Sequence, residues 1–286
     1  MAAIGAGKGI GLRGTEEEER GRLLIIGGNE DKTGERQILR RFVEMAGGRK
    51  ANLAVITTAA EAPQRAGEEY SAIFRELGAA DVFVPPVSTR EAANSAAHAA
   101  DIEAATGIFF TGGDQLRLTS ILGGTMAGAA IKRAFAGGAV IAGTSAGASV
   151  MSETMIVGGE AAESPKKSGL SLAHGMGLIA GVIIDQHFAQ RGRLNRLLEA
   201  VAQNPNVLGL GIDEDTALAV SKGVRCTVIG SRTVTVVDGR MIRFSNISES
   251  EPREPLAITN VILHILPPGF GFDLSRRIPY QEDGFK

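Results

Sequence analysis

Short apolar runs alternate with amphipathic stretches along most of this chain. Leu23-Leu24-Ile25-Ile26 reads as a strand, and Glu35 to Ala46 follows with Ile38, Leu39, Phe42, Val43 and Met45 at helical spacing. Leu53 to Thr57 predicts a second strand, Gln64 to Leu77 a second helix and Asp81 to Val84 a third strand. An Ala-rich helix comes next, then the strand Gly107-Ile108-Phe109-Phe110, helical segments to Ala136, and the run Ala139-Val140-Ile141-Ala142. Apolar runs this short, separated by helices, belong to parallel strands buried on both faces, because each right-handed crossover lays a helix over the sheet. The predicted fold is α/β with a mostly parallel sheet. From Leu208 onward, Val- and Thr-rich strands with turn signals such as Asp238-Gly239 predict antiparallel hairpins at one edge. Residues 1–21, Gly-rich and then acidic, predict a flexible extension, and residues 22–286 a single domain.

Composition adds exclusions. Apolar residues make up 44% and charged residues 22% of the 286, ordinary for a globular enzyme. A formal net charge of −2 gives no electrostatic reason to expect nucleic acid or an anionic membrane as partner. Cys226 is the only cysteine, which rules out an intrachain disulfide and a cysteine-based zinc site; within Val224 to Val228 it reads as a buried strand thiol. The N-terminus lacks an uninterrupted apolar stretch of the signal-peptide kind, and no segment is apolar for long enough to span a bilayer. The expected location is cytoplasmic.

The candidate chemistry begins at Gly143-Thr144-Ser145-Ala146-Gly147, directly after an apolar strand. A sharp strand-to-helix turn needs small neighbours so that the serine hydroxyl stands clear of the backbone. The N–H of Ala146, at the start of the following helix, is placed to meet an oxyanion. Gly112-Gly113-Asp114-Gln115, after the strand ending at Phe110, offers a second oxyanion loop and a side-chain amide for substrate, with Asp114 as helix cap.

A serine hydroxyl needs a base, usually a histidine held by a carboxylate. Of the four histidines, His98 lies in an Ala-rich helix, His264 in a C-terminal strand and His174 in a Gly-containing loop. His187 closes the apolar run Gly181-Val182-Ile183-Ile184, where a parallel strand should end, and is the expected base. The acid lies within Asp213-Glu214-Asp215, and local spacing does not choose among the three. Arg191, Arg193 and Arg196 crowd the N-terminus of a helix, where cations oppose the macrodipole, and carboxylate binding would account for them. Two glycine-rich stretches are decoys. Gly5 to Gly11 lacks a preceding strand and the P-loop hydroxyl, and Gly27-Gly28-Asn29-Glu30-Asp31 departs from the dinucleotide fingerprint. No nucleotide cofactor and no metal are expected.

The order serine, histidine, acid differs from that of α/β-hydrolases and matches class I glutamine amidotransferase-like folds. With Leu24 to Gly28, Phe109 to Gln115, Ala142 to Ala148, Ile184 to Phe188, Gln190 to Leu194 and Gly211 to Glu214, the chain resembles the cyanophycinases. These belong to the peptidase family, S51, that also contains aspartyl dipeptidase E. The resemblance covers about residues 22 to 280. It implies a flavodoxin-like or glutamine amidotransferase-like three-layer sandwich, with Ser145 as nucleophile, His187 as base and Glu214 as acid. It also implies a pocket of Gln115, Asp185, Gln186, Arg191, Arg193 and Arg196, cyanophycin as substrate, β-Asp-Arg as product, and a homodimer. A general aspartyl or isoaspartyl dipeptidase, and a non-catalytic binding protein on the same fold, are the rival readings.

Overall fold

The computed structural model describes residues 21–159, 164–167, 169–221 and 224–282. The extension expected over residues 1–21 therefore lies outside the described residues except for Gly21, which is buried against Phe135. The first half of the chain runs β1 (Arg22–Ile26), α1 (Gln37–Met45), β2 (Asn52–Ile56), α2 (Pro63–Glu76), β3 (Asp81–Phe83), α3 (Arg90–Ala93) and α4 (Ala96–Glu103). It continues with β4 (Gly107–Phe110), α5 (Gln115–Leu122), α6 (Met126–Ala136), β5 (Val140–Thr144) and α7 (Ala146–Ser149). Strands β1, β5, β4, β2 and β3 lie side by side in that order and pair in parallel.

Successive side chains of these buried strands point to opposite faces of the sheet, and each face receives its own helices. Leu23 and Ile25 of β1 join Ile108 and Phe110 of β4 and Ile141 of β5 in one core, against Ile102 and Ile131 of the helices. Leu24 and Ile26 join Phe109, Val140 and Ala142 in a second core on the opposite face, against Phe42 of α1 and Tyr70 and Phe74 of α2. Both faces of the sheet are thus covered, which is why its strands read as unbroken apolar runs. Helix starts follow the sequence chemistry: Asp114 accepts from the Leu116 and Arg117 N–H groups, and the Thr125 hydroxyl accepts from Gly128 N–H.

The second half adds β6 (Thr154–Gly158), β7 (Ser171–His174), β8 (Val182–Gln186), α8 (Leu194–Gln203) and β9 (Leu208–Ile212). After them come β10 (Thr216–Ser221), β11 (Arg225–Gly230), β12 (Val234–Asp238), β13 (Phe244–Ser245), β14 (Ile258–Thr259), β15 (Ile262–Leu266), β16 (Phe270–Asp273) and β17 (Ile278–Gln281). Strands β10, β11, β16 and β17 extend the main sheet antiparallel from β1, giving nine strands. The antiparallel C-terminal strands are as the sequence predicted.

One placement differs. Strand β8 does not join the main sheet; it pairs in parallel with β9 in a second, four-stranded sheet ordered β15, β12, β9, β8. Helix α8 packs on that sheet through Leu197 and Val201, with Ile183, Phe188 and Val237. A strand buried on both faces reads the same in either sheet, so periodicity alone did not separate them. Asp238-Gly239 is also no tight hairpin: the chain departs there and returns only at β15, which pairs antiparallel with β12.

Candidate active site

The carboxyl ends of β1, β4, β5, β8 and β9 converge, and the loops that follow them carry the chemistry. Ser145 follows β5 with φ 54° and ψ −112°, a conformation that L-residues rarely adopt. Its N–H donates to Ile26 O at 3.1 Å, tying the turn to the end of β1. His187 follows β8, also in the left-handed region with φ 47°, and its N–H donates to Gly27 O at 2.7 Å. The imidazole lies against Gly28, where a Cβ would stand 2.4 Å from His187 Cε1, so only glycine leaves room for the ring.

Side-chain geometry forms a relay. His187 Nε2 is 2.9 Å from Ser145 Oγ, and His187 Nδ1 is 2.7 Å from Glu214 Oε1. With Nδ1–H donated to the carboxylate, Nε2 is left as an acceptor facing the serine hydroxyl. Burial holds the imidazole below its ordinary pKa; Glu214 pulls upward and Arg191 and Arg193 push downward again. The histidine is therefore neutral near pH 7, the state a general base needs. Glu214 is held below the usual carboxylate range by its bonds to His187 and to the Asn29 amide.

Among the three adjacent carboxylates the backbone decides. Asp213 is buried and accepts from Ala189 N–H, Thr233 N–H and the Thr233 hydroxyl. Glu214 alone faces the imidazole. Asp215 turns away at φ 49° and accepts from Asp31 N–H at 2.9 Å. Gln190 accepts the Glu214 N–H at 3.0 Å, which fixes the acid's backbone.

Of the predicted oxyanion donors, Ala146 opens α7, where its N–H has no intrahelical acceptor. Gly112 lies alongside the nucleophile: a Cβ there would stand 3.4 Å from Ser145 Cβ. Gly113 adopts φ 139°, and a Cβ would come within 1.9 Å of Ala59 O, so the loop can pass this close only as glycine.

The predicted pocket residues divide. Gln115 is half-buried and donates to Ile156 O at 2.9 Å. Asp185, 1% exposed, meets the guanidinium of Arg196 through both oxygens, with Nε to Oδ2 at 2.6 Å and Nη2 to Oδ1. Arg193 Nη1 lies 3.2 Å from Asp185 and donates to Gln186 O at 2.5 Å and Gln186 Oε1 at 2.6 Å. Burial lowers the Arg193 guanidinium to about 10. The crowded arginines thus have an internal carboxylate to face, and only Arg191 of the three is exposed.

A cleft of about 600 Å³ opens beside Ser145 and His187, walled by Asn29, Glu30, Lys32, Glu69, Tyr70 and Gly112. The stretch Gly27 to Asp31, which departs from the dinucleotide fingerprint, contributes Asn29, Glu30 and Asp31 to this cleft. The other histidines lie elsewhere. His98 bonds to Ala92 O, His264 lies tilted against Phe272, and His174 sits on β7 and not in a loop. Among the described residues no group of three or more His, Cys, Asp or Glu side chains is arranged to hold a metal ion.

A family model, peptidase family S51, matches residues 23–227. The chain belongs to peptidase family S51. Members of the family are serine-type peptidases, and this chain is one. It is 42% identical over 264 residues to a cyanophycinase of Trichormus variabilis, covering 92% of this chain and 89% of the relative. To a cyanophycinase of Geminocystis herdmanii it is 43% identical over 261 residues, covering 91% and 96%. In fold it is similar to the crystal structure of a peptidase from an acI-B1 Actinobacterium, with a TM-score of 0.61 at 22% identity, covering 86% of this chain and 98% of the other. No helix among the described residues is long and apolar enough to cross a membrane.

Proposed function

We propose that the protein hydrolyses cyanophycin, releasing β-Asp-Arg dipeptides by exopeptidase action through an acyl-enzyme on Ser145. The observation that carries the reading is the unbroken Ser145–His187–Glu214 relay in a chain more than 40% identical to cyanophycinases over nine-tenths of its length. Ser145 Oγ attacks the backbone carbonyl between aspartyl units while His187 Nε2 takes its proton. Ala146 N–H, with Gly112 or Gly113 N–H, stabilises the tetrahedral oxyanion. His187 then protonates the leaving amine, and water activated by the same nitrogen hydrolyses the ester. In this reading residues 22–286 act as one unit, because the loops after β1, β5, β8 and β9 all contribute.

Each β-Asp-Arg unit offers a carboxylate and a guanidinium. Arg191 is the partner for the carboxylate and Gln115 supplies an amide, while Gln186, which is buried and bonded to Arg193, joins Asp185, Arg193 and Arg196 in the polar backing behind them. A homodimer in the cytoplasm completes the proposal, and sedimentation of the purified chain tests the assembly. The decisive test of activity is incubation with purified cyanophycin and mass analysis of the soluble products. β-Asp-Arg from the native protein and none from a folded Ser145→Ala variant is the expected result. Undiminished release by that variant would refute the nucleophile, and cleavage of isoaspartyl dipeptides with none of the polymer would favour the dipeptidase reading.

A further inference from the structure

Glu30 is 4% exposed and has no place in the relay described above. Its two carboxylate oxygens are divided between two elements. Oε1 accepts from the Tyr70 hydroxyl at 2.5 Å, and Oε2 accepts from the Thr144 hydroxyl at 2.5 Å. Thr144 is the last residue of β5, immediately before Ser145, and is itself 4% exposed. Tyr70 belongs to α2 and is clamped by aromatic neighbours, its ring centroid 4.6 Å from Phe109 and 5.9 Å from Phe74. Burial, with the Glu30 charge beside it, raises the Tyr70 hydroxyl far above its ordinary pKa, so it stays a donor.

We propose that Glu30 is a positioning residue: its carboxylate spans from the anchored Tyr70 hydroxyl to the Thr144 hydroxyl and thereby fixes the turn that holds Ser145. The inference rests on Ser145 being the nucleophile. A turn in a sparsely populated backbone conformation persists only where its surroundings over-determine it. The main-chain bond from Ser145 N–H to Ile26 O is one such constraint, and the Glu30–Thr144 bond is a second on the adjoining residue. A carboxylate suits the place because both neighbours have only a hydroxyl hydrogen to give and it accepts from both. Glutamine would turn an NH2 toward one of them, and aspartate would keep the charge but lose the reach. Glu30 sits next to Asn29, which bonds Glu214, so a single loop constrains both ends of the relay.

Steady-state kinetics on soluble β-Asp-Arg oligomers test this with Glu30→Gln, Glu30→Asp and Thr144→Val, each checked for its unfolding midpoint. A displacement of about 1 Å at a reacting group costs on the order of 10²-fold in rate. All three variants are expected to lose roughly tenfold to a hundredfold in kcat, with KM within about twofold and the acid limb of the pH profile unmoved. The Glu30→Gln/Thr144→Val double variant should lose no more than the worse single one, since both break the same bond. Should Glu30→Gln fail to fold, Thr144→Val alone carries the test, because it removes the hydroxyl and keeps the shape. Unchanged kcat in folded variants would overturn the proposal. So would a raised KM with kcat intact, or rescue by Glu30→Asp, either of which would assign the carboxylate to charge recognition. Ser145→Ala separates this from the parent reading: if it stays active, the nucleophile itself is wrong.

Discussion

Asn29 donates its side-chain amide to Glu214 Oε2 at 3.1 Å, the carboxylate oxygen that His187 leaves unused. The acid is therefore held at both oxygens, one by the group it orients and one by a loop residue in the left-handed conformation, φ 46°. A carboxylate rotating about its last bond would carry the imidazole with it. Asn29 removes that freedom.

Loss of this amide should therefore act on catalysis. A hydrogen bond to a charged group contributes about 1.5–3 kcal/mol, and partial solvent access at Glu214 lets water replace some of it. Asn29→Ala is expected to lower kcat about threefold to tenfold with the unfolding midpoint little changed. Unaltered kcat would mean that His187 alone orients the acid.

The three acidic neighbours should separate by readout. Glu214→Gln is expected to lower kcat by about 10²- to 10⁴-fold, since it removes both the orientation of His187 and the charge that stabilises its imidazolium. Asp213→Asn should instead lose stability, about 1–3 kcal/mol, because a buried acceptor of two backbone N–H groups is replaced. Asp215→Asn, which keeps an oxygen for Asp31 N–H, should do least of all. Denaturation midpoints measured beside kcat distinguish these outcomes.

The sequence made the relay legible through position at strand ends. Ser145 and His187 each close an apolar run, and such ends face the same rim. What stayed hidden was lateral neighbourhood. Nothing in Leu23 to Asp31 reveals that β1 lies between β5 and β10, so that the loop after it reaches Ser145, His187 and Glu214 together. The glycines there resemble a broken cofactor motif because their reasons, the His187 ring for Gly28 and the Ile212–Asp213 backbone for Gly27, are remote in sequence. Asp213, Glu214 and Asp215 could not be ranked because their directions depend on the left-handed turn at Asp215. The unfavourable helix position of the arginine cluster predicts a carboxylate partner without saying whose it is, and for Arg193 and Arg196 Asp185 supplies it within the fold.

The pH dependence follows from His187. Its pKa is depressed by burial, so the neutral base persists below the 6.5 of a free imidazole. The acid limb of kcat/KM should lie below pH 6.5, activity falling as His187 gains a proton. Arg191→Gln takes away a nearby positive charge and should move that limb to higher pH. Glu214→Gln removes the group that favours protonation and should move it lower while reducing the rate. A limb above pH 6.5 in the native protein, or shifts of opposite sign in the variants, would contradict the described electrostatics.

The last prediction separates Arg196 from Arg191. Arg196 is 9% exposed and grips Asp185 by both carboxylate oxygens, so removing it leaves the buried carboxylate with only the longer contact to Arg193. Breaking a buried pair from one side costs about 3–5 kcal/mol, and Arg196→Ala should lower the unfolding free energy by that order. Lysine should rescue poorly, because a single ammonium cannot reproduce the planar two-point contact. Arg191 has no such duty in the fold: it is exposed, and Arg191→Ala should leave the unfolding midpoint in place. Its effect should appear as a loss of about tenfold or more in kcat/KM toward β-Asp-Arg oligomers, and as a smaller loss once their α-carboxylates are blocked. Equal losses on blocked and unblocked oligomers would remove Arg191 from carboxylate recognition. An Arg196→Ala protein as stable as the native one would show that Arg193 alone suffices for Asp185.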